Sequence, residues 1–170
     1  RRRAGLWVPV VSGVLRSTSF PPTIEQEILA GALAIPDSTV VGLSAAAIER
    51  MPVGPPGRPM VAVLPGRSAR VDGVRALRLS QTVPSRRWYS VRRSTTEATI
   101  VLLPRFVDDA TLERCLDHCL AHRLTTVDRV RRLLDRLPAQ AVSGRRILLG
   151  LLDRRSEGVG HRSGLEQRVA

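Results

Sequence analysis

Four residues that could ligate a metal, Cys115, His118, Cys119 and His122, lie within eight consecutive positions. On a helix turning about 100° per residue they fall within an arc of about 100° and share one face. Thiolate and imidazole are ligands that suit Zn²⁺. One straight helix cannot wrap a tetrahedral ion with all four, because the outer two stand about 10 Å apart along the axis. A metal would therefore need two of these ligands and a further element to complete the site. Leu112, Leu116 and Leu120 continue the same stripe, and cysteine packs as a small hydrophobe. A buried helix face is the expected outcome, and no metal or cofactor is assigned.

Glu166 is the one other residue with a catalytic reading, since a hard cation such as Mg²⁺ takes carboxylate oxygens. A single carboxylate cannot build such a site. Ser163-Gly164-Leu165-Glu166 also matches a capping box, which accounts for both Ser163 and Glu166 without chemistry. Gly42-Leu43-Ser44-Ala45-Ala46 lacks the second glycine of a nucleophile elbow. Neither a glycine-rich phosphate loop nor a histidine-centred triad is legible elsewhere.

Arginine is the remaining chemistry. All 27 basic residues are arginine and none is lysine, against 15 acids, for a formal charge of +12. Part of this excess reflects GC-rich coding, as the alanine, glycine and proline content also indicates. Its distribution is more informative. Residues 1–93 hold 14 arginines against 5 acids, whereas residues 94–170 hold 13 against 10. Clustered guanidinium groups displace counterions from phosphates, so nucleic acid is the expected partner and the N-terminal part its expected contact. No stretch is long and apolar enough to span a bilayer, and reduced thiols fit a cytoplasmic home.

The elements that must position these residues follow from local signals. Leu6–Val11 and Val14–Ser17 flank Ser12-Gly13 and predict a tight antiparallel hairpin. Arg1, Arg2 and Arg3 lead into it and Arg16 lies on its second strand, so these four are the candidate phosphate contacts. With no initiator Met, the chain reads as a fragment whose hairpin closes something larger. Thr23 to Gln26 predicts a helix through Leu33, and Ser94 to Glu97 another through about Pro104. Asp108 or Asp109 caps a segment to Arg123, Thr125 to Asp128 opens one to Leu137, and Pro138 opens one through Leu152. Met60–Leu64, Val74–Leu79 and Trp88–Val91 are the candidate strands. The expected class is α+β, with an N-terminal β-hairpin, a small mixed or antiparallel sheet and a predominantly helical C-terminal half.

Gly5, Leu6, Trp7, Val10, Gly13 and Val14 resemble the end of the winged-helix domain in AbiEi-like (abortive-infection, type IV) antitoxins, which usually read Gly-Leu-Trp-Arg-Arg-Val-x-Pro-Gly-Val-Tyr. Val8, Pro9, Ser12 and Leu15 replace the usual Arg, Arg, Pro and Tyr. Leu43 to Met51 resembles the Ser-Ala-Ala helix of the same family, with Glu49 and Arg50 where His-Gly is frequent. Ser94 to Leu102 resembles its Thr-Ser/Thr-Pro-x-Arg-Thr-Leu-x-Asp segment, with Ala98 and Leu102 in place of the Arg and Asp. Gly160 to Val169 resembles the helix that opens a Vsr-like endonuclease domain often fused behind this module.

The resemblance implies three segments: residues 1–18 as the wing remnant of a winged helix-turn-helix, 19–158 as the antitoxin module, and 159–170 as the start of a truncated endonuclease domain. It implies a DNA-binding regulator, with a toxin partner that acts indirectly and a possible homo-oligomer. The alternative is the accessory part of a Mg²⁺-dependent PD-(D/E)xK endonuclease in which Glu166 would hold the ion. A third reading is a protein-interaction module without DNA binding.

Overall fold

A computed structural model describes residues 6–64, 70–79 and 81–166, with side chains of the last helix described as far as residue 156. The fold is α+β, as expected from the sequence. Strands β1 (Trp7–Val11) and β2 (Val14–Ser17) form the expected antiparallel hairpin. Gly13 sits at its turn with φ 81°, a conformation that costs a residue without Cβ little. The register shifts between Pro9 and Val11, which suits a strand whose proline has no N–H for the ladder. A lone hairpin is marginal in water, and this one packs on helix α1 (Ile24–Leu33). Thr23 caps α1, its Oγ1 accepting from Gln26 N at 3.1 Å. The reciprocal half of the expected capping box is not made, because Gln26 Oε1 is buried without a partner.

Five strands follow in one mixed sheet: β3 (Thr39–Val40), β4 (Met60–Val63), β5 (Arg75–Arg78), β6 (Ser85–Trp88) and β7 (Val91–Ser94). Their spatial order is β5-β4-β3-β7-β6. β3 is antiparallel to β4 and parallel to β7, β4 is parallel to β5, and β6 is antiparallel to β7. Helix α2 (Gly42–Ile48) leaves β3 through Gly42 at φ 57°. A Cβ there would stand 2.9 Å from Phe106 Cε2 and 3.1 Å from Met60 Cε, so both the backbone and the packing select glycine. Ser44 on α2 is buried, and its Oγ accepts from Met60 N at 2.9 Å. That bond ties α2 to the sheet and leaves Ser44 a structural residue.

The structure corrects one strand expectation and adds a strand that the sequence did not announce. Trp88–Val91 is not a strand: Tyr89 and Ser90 turn the chain, and the strands lie on either side. The period of two across residues 85–94 is masked by four arginines, two of which are drawn inward by a buried carboxylate. Thr39–Val40 is too short to show any period, yet it is the middle strand.

Helices α3 (Thr96–Leu102), α4 (Asp109–Ala121), α5 (Val127–Arg136) and α6 (Arg145–Glu166) make up the rest. Thr95, not Ser94, caps α3, because Ser94 ends β7 and its Oγ bonds Thr99 Oγ1 at 2.7 Å. Asp108 and Thr126 cap α4 and α5 through Thr111 N and Arg129 N. The helix expected from Pro138 starts seven residues later, at Arg145. Leu137 is extended (ψ 136°), as the residue before a proline prefers, and Pro138 follows with ψ 137° into a 3-10 turn at Ala139–Ala141. Gly144 at φ 68° then redirects the chain, and a Cβ on it would meet Pro104 Cβ at 2.6 Å. Because α6 runs unbroken to Glu166, Ser163 is interior to a helix rather than its N-cap, and the segment boundary expected after residue 158 falls within α6.

Ile100, Leu112, Leu116, Leu134, Leu148 and Leu152 are fully buried in the core between α3, α4, α5 and α6. Each such side chain contributes about 1.5–3 kcal/mol through loss of apolar surface from water. A second cluster joins Ile28, Ala32, Val40, Val61 and Val63 between α1, α2 and the sheet. No helix among the described residues is long and apolar enough to cross a membrane.

Candidate nucleic-acid interface

The β6–β7 hairpin concentrates the sheet's cationic side chains. Its register sets Arg86 opposite Arg93 and Arg87 opposite Arg92. Like charges directly across an antiparallel pair repel, and the two pairs meet that repulsion differently because alternate residues face opposite sides. Arg86 Nη2 and Arg93 Nη1 both donate to Glu49 Oε1, at 2.8 and 2.5 Å. Thr96 Oγ1 donates to the same oxygen at 2.7 Å. Arg87 and Arg92 are exposed, and among the described residues no ion pair engages either one.

Glu49 is therefore a node. It follows α2, its side chain is 3% exposed, and it joins β6, β7 and the start of α3. Its carbonyl oxygen also lies 3.3 Å from His118 Nε2 on α4. The second carboxylate oxygen, Oε2, is buried without a hydrogen-bond partner. The residue after it, Arg50, adopts φ 55°. Arg50 N donates to Ala47 O and Met51 N to Ala46 O, both at 3.0 Å, which closes a Schellman motif.

At the hairpin tip Tyr89 is 68% exposed with φ 52°. Its ring lies 5.2 Å from that of Trp88 at 59°, and its carbonyl accepts from Arg87 Nε at 3.0 Å. Beside the hairpin a cleft of about 550 Å³ runs to the end of α1, lined by Asp37, Ser38, Arg86, Arg87, Ser90 and Arg92. On the opposite edge of the sheet Arg75 and Arg78 of β5 are exposed, with Arg75 lying 5.4 Å over the Phe106 ring.

The residues singled out from sequence are distributed as follows. Arg1, Arg2 and Arg3 lie outside the described residues. Arg16 Nη1 donates to Phe20 O at 2.5 Å and to Ser17 O at 3.2 Å, so one end of its guanidinium closes the turn after β2. Cys115 and Cys119 are free, fully buried and part of the helical core. Burial pushes their thiols up to about 11 and about 12, so both stay protonated and unreactive near neutral pH. His118 is directed to the Glu49 carbonyl. His122 Nδ1 lies 2.9 Å from His118 O, and the two rings stack with centroids 4.2 Å apart. No cluster of three or more metal-ligating residues occurs among the described residues. Glu166 lies on α6 beyond the described side chains.

Sequence reasoning missed Arg87, Arg92 and Tyr89 as a group. The signal was present in Arg86-Arg87-Trp88-Tyr89-Ser90-Val91-Arg92-Arg93, an aromatic pair bracketed by two arginine pairs. Compared with known proteins, the chain matches no family model, no curated protein and no solved structure.

Proposed function

We propose that this chain is the sheet-and-helix module of a DNA-binding regulator of the antitoxin type. One observation carries the reading. In the sheet half the exposed arginines of β5, β6 and β7 cluster on strands, whereas four of the eleven described arginines in residues 96–156 bridge to carboxylates on neighbouring helices. Arg131 pairs with Asp153, Arg145 with Asp135, Arg154 with Glu113, and Arg155 with both Glu113 and Asp117. In the sheet half only Glu49 plays that part among the described residues. Exposed, unneutralised cations are what a polyphosphate needs.

The family resemblance supports the particular type. The position at which that family frequently has glycine is Arg50, whose φ of 55° is one that glycine adopts without strain. A cognate toxin would be countered indirectly, through control of expression.

The test is a mobility-shift titration with the chain's own promoter DNA against scrambled DNA of equal length. Preferential binding to the promoter, with a log-log salt slope of several units, is the expected result. Equal affinity for both sequences rejects operator recognition.

A further inference from the structure

Resting on that reading, the geometry points to the β6–β7 hairpin as a β-ribbon that seats on duplex DNA, with Arg87 and Arg92 on phosphates and Tyr89 at the tip against a base. Three independent features converge on it.

The first is electrostatic. Arg87 and Arg92 stand opposite one another in the register, and a like-charged cross-strand pair costs up to about 1 kcal/mol. The pair on the other face, Arg86 and Arg93, is neutralised by Glu49. The outer pair has no such partner among the described residues, so a phosphate supplies the charge it lacks.

The second is backbone geometry. Four described residues other than glycine have positive φ: Asp37, Arg50, Tyr89 and Arg123. Arg50 and Arg123 close Schellman motifs, the latter through Arg123 N to Leu120 O and Leu124 N to Cys119 O. Tyr89 closes no helix. A bulky side chain there costs about 1–2 kcal/mol relative to the right-handed region, and the ring regains little of it by burial, being 68% exposed. Glycine would make the same turn without the strain. The strain and the exposure make sense together only if the ring has a use outside the fold.

The third is placement. β6 is an edge strand and β7 is paired with β3 at Arg92 and Arg93, so only the tip, Trp88 to Val91, runs beyond the β3 pairing, and an antiparallel tip of two strands fits a DNA groove. Arg87 Nε bonded to the Tyr89 carbonyl holds tip and cation in a fixed relation. An aromatic ring beside Arg side chains is the pairing that grips both base and backbone.

The experiment is an anisotropy titration of a labelled 24-base-pair duplex, and of one strand alone, across a range of salt concentrations. It uses the chain and three variants: R87Q/R92Q, Y89G, and R16Q as a control on the β1–β2 hairpin. In R87Q/R92Q the log-log salt slope should fall by about 2 and affinity near 0.1 M salt by about tenfold or more. Y89G should melt at a higher temperature than the parent and yet bind about fivefold or more weaker. That opposition of stability and affinity separates a contact residue from a structural one.

An unchanged slope in R87Q/R92Q, with R16Q lowering it, overturns the ribbon while leaving the regulator reading intact. Tighter binding of the single strand than of the duplex also overturns the ribbon. Failure of the parent chain to bind either DNA overturns both readings.

Discussion

Among the described residues, four arginines in 96–156 close ion pairs on carboxylates of neighbouring helices, whereas in 6–94 the pairs of Arg86 and Arg93 both use Glu49. The two halves carry similar numbers of arginines, so arginine count does not separate them; the number and placement of acids do. Glu113 and Asp117 sit one turn apart on α4 and meet Arg155 of α6, so guanidinium groups there act as braces between helices. The hydrogen bond that Arg155 donates to Asp117, together with that to Glu113, outweighs burial and raises the Arg155 pKa further. In the sheet half the same side chain type projects into solvent. Arginine thus braces helices in one region and stands exposed on strands in the other.

The largest expected effect comes from removing the carboxylate that gathers Arg86 and Arg93 in the sheet half. Glu49→Ala leaves Arg93 buried without a counter-charge and should cost about 3–5 kcal/mol, a fall in Tm of about 10 °C by calorimetry. Glu49→Gln, which keeps the volume, should recover only part of this; full recovery would mean that packing rather than charge holds the node.

Arg155→Ala breaks two braces at once and should cost about 1 kcal/mol in a denaturant titration, with DNA affinity unchanged. A loss of affinity there would erase the distinction between the halves.

Arg50→Gly should stabilise by about 0.5–1 kcal/mol, since it relieves the positive φ without touching an ion pair. Lowered stability would show that the Arg50 side chain contributes something its geometry does not reveal.

The smallest effect is acid-dependent. Burial alone would raise the Glu97 pKa, but the 2.7 Å hydrogen bond from Thr125 Oγ1, with help from Thr95 and Arg129, holds it below the usual carboxylate range. A depressed carboxylate contributes stability above its unfolded pKa, and that contribution is lost as pH falls through the folded value. Thr125→Val should therefore be slightly less stable than the parent at neutral pH, and the two should converge as pH falls through the depressed Glu97 value. A gap that stays constant with pH would assign the effect to packing.

Much of the fold was legible because local signals agreed with tertiary demands. Thr23, Asp108 and Thr126 cap the helices that their sequence contexts announce. The stripe of Leu112, Cys115, Leu116 and Cys119 is buried as its helical spacing requires. The misses share a physical cause, which is that the deciding partner lies far away in sequence. Arg86 and Arg93 read as solvent-facing until Glu49, more than thirty residues earlier, is brought beneath them. β3 is a strand only because β4 and β7 flank it. Pro138 has the residue type of a helix start, but the 3-10 turn and Gly144 that follow it delay α6. Of the candidate site, the arginines and the aromatic pair between them are visible in the sequence, whereas the positive φ that sets Tyr89 at the tip has no local signature.

The two-residue strand β3 has a kinetic consequence. Thr39 and Val40 pair with residues 61–62 on one side and 92–93 on the other, so the middle of the sheet closes loops of some twenty and fifty residues. The entropy of each closure comes before any reward from the ladder. In the helical half successive helices are joined by short connections and can dock as they form. During synthesis β3 leaves the ribosome early yet must wait, with one edge unpaired, until β7 is made. The strand that comes first in the five-stranded sheet is among the last parts of that sheet to find its place.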